Sequence, residues 1–199
     1  MQTRVVVALC SMVILQASLA RAEDAPAGEA AAAAPAAAPP VATAVAQSGL
    51  RFRGGISLAG GMEKVSVVSG EMYGLDGRLG VQVNDLLGIY VQPHLSFGSL
   101  GGQAGGIGVT GATGTFSIAA MGEATFIDRL FAGAGLGYGV LNNPSGPMFQ
   151  ARAGGYLLET RGQDGIRRKG LMAGVDLRTI FINGATGVLV LASIGYEKF

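Results

Sequence analysis

The sequence predicts an all-β fold: an eight-stranded antiparallel up-and-down transmembrane β-barrel, behind a signal peptide and a disordered Ala/Pro linker. Three observations carry this expectation. Apolar and polar residues alternate with period two in eight successive runs from Leu50 to Phe199. Beyond the N-terminal leader, no stretch has the ~18 uninterrupted apolar residues of a spanning helix. Charged residues make up 14% of the chain, about half the usual share of a soluble protein. A chain that crosses lipid without such a helix must close its strands on themselves, because the hydrocarbon satisfies no open backbone edge.

The leader comes first. Met1-Gln-Thr-Arg4 supplies a positive start, Val5–Leu19 an apolar core, and Ala20-Arg21-Ala22 an Ala-x-Ala site before Glu23. This is the pattern of a secretory signal peptide over 1–22, cleaved after Ala22. The apolar run is too short for a membrane anchor and ends in a cleavage pattern. The one cysteine, Cys10, lies within this core and follows Leu9 rather than a small residue, so it does not read as a lipid attachment site. The mature chain then has neither a disulfide framework nor a thiolate metal site. Taking Arg4 and Arg21 from the 14 Lys and Arg leaves 12 against 13 Asp and Glu, a net charge of −1. No concentrated basic face points to nucleic acid.

Residues 23–48 are mostly Ala and Pro. Pro26, Pro35, Pro39 and Pro40 interrupt any alanine helix, so the segment reads as a disordered tether without a core. It is either a tether toward the cell wall or a plain spacer.

The barrel is expected over 49–199. In the first run Phe52, Ile56 and Leu58 share one face, and Arg51, Arg53 and Ser57 the other. The second and third form a hairpin about an Asn84-Asp85 turn, with Tyr73, Leu75, Leu79, Val81, Leu87, Ile89, Val91, Leu95 and Phe97 on the apolar side. Their other face holds Asp76, Arg78, Gln82, Tyr90, Gln92, His94 and Ser96. The fourth sets Phe116, Ile118 and Phe126 against Thr115, Ser117 and Glu123, and the fifth sets Leu136 and Tyr138 against Gly133, Gly135, Gly137 and Gly139. Arg152 and Tyr156 mark the inner face of the sixth, and Asp176 and Arg178 that of the seventh. The eighth is Gly187–Phe199. Alternation of this kind sends side chains to opposite faces of a sheet. In a membrane barrel the apolar face meets lipid and the polar face fills the lumen.

A soluble eight-stranded barrel would reverse these faces. Against it stand the aromatics near strand ends, namely Phe52, Tyr73, Phe97, Phe116, Phe126, Tyr138, Phe149, Phe181 and Tyr196. Aromatic girdles at both rims belong to barrels in lipid. The 34 glycines also fit a narrow lumen, where they leave room for large inward neighbours.

The last residues, Ile194-Gly-Tyr-Glu-Lys-Phe199, resemble the closing strand of bacterial outer-membrane proteins, which end on an aromatic residue. Over Leu50–Phe199 the chain resembles the small OmpA-like and OmpX-like eight-stranded barrels. The resemblance implies location in the outer membrane, contact with its lipids, both barrel ends in the periplasm, and recognition of Tyr196 and Phe199 by the barrel-assembly machinery. One departure is that Tyr196 stands fourth from the end, out of phase with Phe199. Two explanations are open: a bulge near Lys198, or a strand that turns Leu189 and Leu191 to lipid. The implied topology puts Met62–Ser69, Gly98–Gly111, Leu141–Pro147 and Ile182–Thr186 outside as loops. On the periplasmic side it puts the turns near Asp85 and Asp128 and a long basic turn, Glu159–Lys169. That turn either touches anionic headgroups or the cell wall, or is simply solvated; the solvated turn is the reading taken.

The inward charges form the candidate site: Arg51, Arg53, Asp76, Arg78, Glu123, Arg152, Asp176 and Arg178, with Glu197 depending on the phase of the last strand. Opposite charges in a narrow lumen should pair, since an unpaired buried charge is costly. Such a network reads as a plug. The pair His94-Leu-Ser96 resembles the H-x-S pair of outer-membrane lipid A deacylases, but its phase points inward, not to lipid. Gly106-Ile-Gly-Val-Thr-Gly111 matches a dinucleotide fingerprint in letters alone and reads as a flexible loop, since it lacks the strand and helix that signal needs. One histidine cannot furnish a His-rich metal site. The expected role is therefore structural or interactive, with no enzymatic activity and no cofactor. A narrow solute channel is the alternative, and a lipid-modifying enzyme a weaker one.

Overall fold

The computed structural model describes residues 49–199, apart from Gly105, Gly106, Asp128 and Asp164. The signal peptide with its cleavage site at Ala20 and Ala22, and the Ala/Pro linker, lie outside the described residues.

Eight strands follow one another: β1 (Arg51–Val65), β2 (Val68–Gln82), β3 (Leu87–Ala104), β4 (Ile107–Phe126), β5 (Leu130–Leu141), β6 (Ser145–Arg161), β7 (Arg167–Ile182) and β8 (Ala185–Lys198). Each pairs antiparallel with its neighbours, and β8 returns to β1 to close the barrel. The closing ladder runs from Gly54↔Lys198 to Val65↔Gly187. Closure removes every open edge, which is the condition for strands to lie in lipid. Both termini of the barrel lie at one rim, here called the terminal rim; the opposite end is the far rim.

The alternation places the side chains. Phe52, Leu58, Tyr73, Leu79, Ile89, Phe97 and Leu136 are exposed on the outer wall, while their immediate neighbours Arg53, Ser57, Met72, Arg78, Tyr90 and Ser96 are buried inside. All the end-of-strand aromatics of the sequence pattern face outward, from Phe52 to Tyr196. Tyr73 and Phe97 stand directly opposite one another on β2 and β3, a favourable cross-strand pairing.

The far-rim connections differ from the loops expected there. β1 and β2 are linked by Ser66 and Val67 alone, and β7 and β8 by Asn183 and Gly184, where Gly184 takes φ 78° without steric cost. β3 and β4 continue their ladder to Ala104↔Ile107, so Ile107–Gly111 is strand rather than flexible loop. The sequence there is uncharged and rich in glycine, which leaves little apolar–polar contrast to mark a strand. At the terminal rim, Asn84 shapes the β2–β3 turn: its Oδ1 accepts from the amides of Leu86 at 2.9 Å and Leu87 at 2.8 Å. The basic turn is also shorter than expected, since β6 runs to Arg161 and β7 begins at Arg167. A register shift between Tyr156 and Leu158 turns both Leu157 and Leu158 outward.

β8 pairs without a register shift against β1 and β7, so no bulge occurs near Lys198. Leu189 and Leu191 face inward and are fully buried, so the other explanation fails as well. Phe199 is simply an inward residue: its ring meets Tyr156 edge-on with centroids 5.7 Å apart. The leucines go inside because an apolar cluster receives them there, with Met72, Met148, Ile180 and Leu141.

Inward glycines let the wall pass close to its neighbour. A Cβ on Gly61 would lie 2.0 Å from the carbonyl oxygen of Val190, whereas on outward Gly122 it would meet nothing within 4 Å. Gly61→Ala should therefore lower the unfolding free energy by about 1–3 kcal/mol. Gly122→Ala should leave it nearly unchanged, in urea-gradient unfolding of detergent-folded protein.

Candidate functional site: the charged lumen

The inward charges meet in two adjoining groups. Nearer the terminal rim, Arg53 Nη2 donates to Glu123 Oε1 at 2.5 Å and to Glu197 Oε2 at 2.8 Å. Arg78 donates to the other Glu197 oxygen at 2.9 Å and to Ser57 Oγ at 2.9 Å. Arg152 lies 3.3 Å from Glu123 and 3.8 Å from Glu197. Two phenols complete the group: Tyr156 donates to Glu197 and Tyr90 to Glu123, each at 2.8 Å. Aromatic faces cover the guanidiniums, with Arg53 4.6 Å from the Tyr90 ring centre and Arg152 4.6 Å from that of Phe131.

The second group lies beyond it. Arg178 Nη2 donates to Asp76 Oδ1 at 2.5 Å and lies 3.7 Å from Asp176. Gln92 spans the two carboxylates, at 3.1 Å from Asp76 and 3.3 Å from Asp176. Gln150 donates to Asp176 at 3.0 Å, and Ser193 at 3.2 Å. His94 Nδ1 sits 2.9 Å from Asp76. The first group holds three arginines against two glutamates and the second one arginine against two aspartates, so their imbalances are opposite. The groups join where Arg152 and Asp176 face each other across β6 and β7.

Arg51 stands apart. It pairs with exposed Asp85 on the β2–β3 turn and donates to the carbonyl of Arg167 at 3.1 Å, which makes it a latch of the terminal rim rather than a lumen charge. Within the basic turn, Glu159 accepts from Arg161 at 2.7 Å and Arg167 at 2.9 Å. Glu63 lies on β1, within the segment expected as an outer loop. It is fully buried in the apolar half and accepts from Thr115 at 3.2 Å. Its phase, in step with Arg53, Ser57 and Ala59, was the available signal. Phe131 and Leu141 were likewise inward by phase.

His94 and Ser96 are both buried within the lumen on β3, and Ser96 Oγ has no hydrogen-bond partner. Their side chains face away from the lipid-facing wall. Among the described residues, no group of three or more His, Cys, Asp or Glu could hold a metal ion.

Removing one member of such a network strands the others. Glu197→Ala leaves Arg53 and Arg78 without a carboxylate they share, and should cost roughly 3–5 kcal/mol of stability. Glu71→Gln, at an exposed position, should change stability by less than ~0.5 kcal/mol. Urea titration monitored by circular dichroism distinguishes the two.

No protein-family model matches the chain, and no curated protein matches its sequence. Solved structures do. Neisserial surface protein A is similar with a TM-score of 0.54 and 14% identity, over 75% of this chain and 98% of that one. Ail, the attachment invasion locus protein of Yersinia pestis, is similar with a TM-score of 0.53 and 10% identity, over 73% and 98%. At these identities the likeness concerns architecture. The chain has the fold of the small eight-stranded outer-membrane β-barrels.

Proposed function

We propose that this protein is an integral outer-membrane barrel with a structural or interaction role, whose lumen is plugged and whose contacts are made by its outer wall and rims. The observation that carries this is the filling of the interior. Paired charges occupy the half toward the terminal rim, and Met72, Met148, Ile180, Leu189 and Leu191, all buried, occupy the half toward the far rim. An ion crossing this interior would have to break the charge pairs and then enter an apolar layer, and both steps are costly.

On this reading the periplasm holds the terminal rim, and the assembly machinery reads the last strand through Tyr196 and Phe199 before insertion. Any tether formed by the Ala/Pro linker would extend from the same rim. The short far-rim turns leave little for a folded receptor-binding surface outside the cell. Lipid modification is disfavoured because His94 and Ser96 face a filled lumen.

Planar-bilayer recording checks the plug. The wild type should insert without steady single-channel current, and a double substitution of the network and the apolar layer, Arg178→Ala with Leu191→Gly, should open small steps. Steady conductance by the wild type would overturn the plugged lumen and favour a narrow solute channel. Acyl-chain release from lipid A that disappears in Ser96→Ala would overturn the non-enzymatic reading.

A further inference from the structure

We infer that the outer wall over β7, β8 and β1 carries a seat for one anionic glycerophospholipid, with its headgroup on Lys169 and Lys198 and an acyl chain in the furrow beside them. The inference rests on the membrane-embedded reading above.

The two lysines stand directly opposite each other across β7 and β8 at the terminal rim. Both are exposed. Their positions are in phase with Leu171 and Tyr196, so they belong to the outward face. Like charges directly opposite on neighbouring strands repel and destabilise the pair. Elsewhere at this rim, close cations share an opposite charge, as Arg161 and Arg167 share Glu159. Among the described residues no ion pair includes Lys169 or Lys198. Glu159 lies beside Lys169 along the same groove, but its two oxygens are taken by the arginines. An anion from outside the protein would relieve the repulsion.

The apolar half of the seat begins at the same place. A groove lined by Leu158, Leu171 and Tyr196 lies next to Lys169. It shares Leu171 and Tyr196 with a second depression of about 430 Å³, walled by Ile56, Leu58, Leu75 and Ile194. Together they form a furrow that leaves the lysines and runs along the wall toward mid-membrane. The register shift on β6 supplies one bank by turning Leu158 outward. Tyr196 marks the headgroup level, where its amphipathic ring is favoured. Long lysine stems keep their ammonium groups at that level while lying along apolar wall. A phosphate at the lysines with a chain below it matches this order of charge, aromatic and furrow. A free phosphate would use only its first element.

The test uses the full barrel folded in neutral detergent and titrated with phosphatidylglycerol, with native mass spectrometry counting lipids per barrel. One retained lipid is expected, and phosphatidylcholine should be held at least tenfold more weakly. Lys169→Gln and Lys198→Gln should each weaken retention roughly fivefold, the weight of one lysine near an anionic surface. Lys64→Gln removes the same charge from an exposed site on β1 near the far rim and should change nothing. Equal loss with Lys64→Gln, or equal retention of both lipids, would overturn the seat. Displacement by glycerol phosphate at the lipid's own concentration would also overturn it, since the furrow would then contribute nothing. Each variant is also run unboiled and boiled on a gel. Loss of lipid with the folded band retained counts for the seat alone, whereas absence of a folded band in the wild type would count against the membrane-barrel reading itself.

Discussion

The carboxylate of Glu197 is the interaction on which this barrel most depends. It sits on the last strand, which must find the first for the sheet to close. From there it accepts from Arg53 on β1, Arg78 on β2 and Tyr156 on β6, and lies 3.8 Å from Arg152. One buried anion thus ties the closing strand to three others across the lumen. Such a pair is a modest source of net stability, because both charges leave water. Its larger effect is on register. A slip of β8 by one residue would turn Glu197 to lipid and leave the arginines inside without it, which makes the alternatives far worse than the native pairing.

The rest of the interior follows from that constraint. Ionic contacts fill the half of the lumen where the arginines lie, with Tyr90, Tyr156, Phe131 and Phe199 covering their faces. Beyond Asp76 and Asp176 the interior changes character, and Met72, Met148, Ile180, Leu189 and Leu191 pack as an apolar core. A barrel with a hydrocarbon surround gains little from burying apolar groups inside, since lipid would serve them as well. Methionine and leucine there serve mainly to occupy volume. Buried polar groups interrupt this half at Glu63, Ser96, Thr113 and Thr115, and Glu63 has Thr115 as its single hydrogen-bond donor.

Much of the fold was legible because period two survives in nearly every strand. Phase alone separated Phe52 from Arg53, Tyr73 from Asp76 and Ile89 from Tyr90. Where legibility failed, the cause was physical. The stretch from Gly98 to Gly111 is rich in glycine and carries no charge, so its sequence shows little apolar–polar contrast, although β3 and β4 pair as far as Ala104 and Ile107. Glu63 falls within Met62–Ser69, the segment that the implied topology assigns to an outer loop, whereas β1 runs on to Val65. Leu189 and Leu191 broke the rule that inward means polar, and only the packing of the far half explains them. Which charge meets which is a matter of three-dimensional reach across the lumen; nothing in the spacing of Arg53 and Glu123 announces their contact. The lysine pair at the terminal rim depends equally on register, which residue spacing within one strand does not reveal.

The most direct measurement is gel mobility with and without boiling, made on detergent-folded protein beside its circular dichroism spectrum. A closed barrel with a lipid-facing wall predicts a β spectrum and an unboiled band that shifts on boiling. A protein that stays soluble without detergent and shows no shift would contradict the outward assignment of every strand.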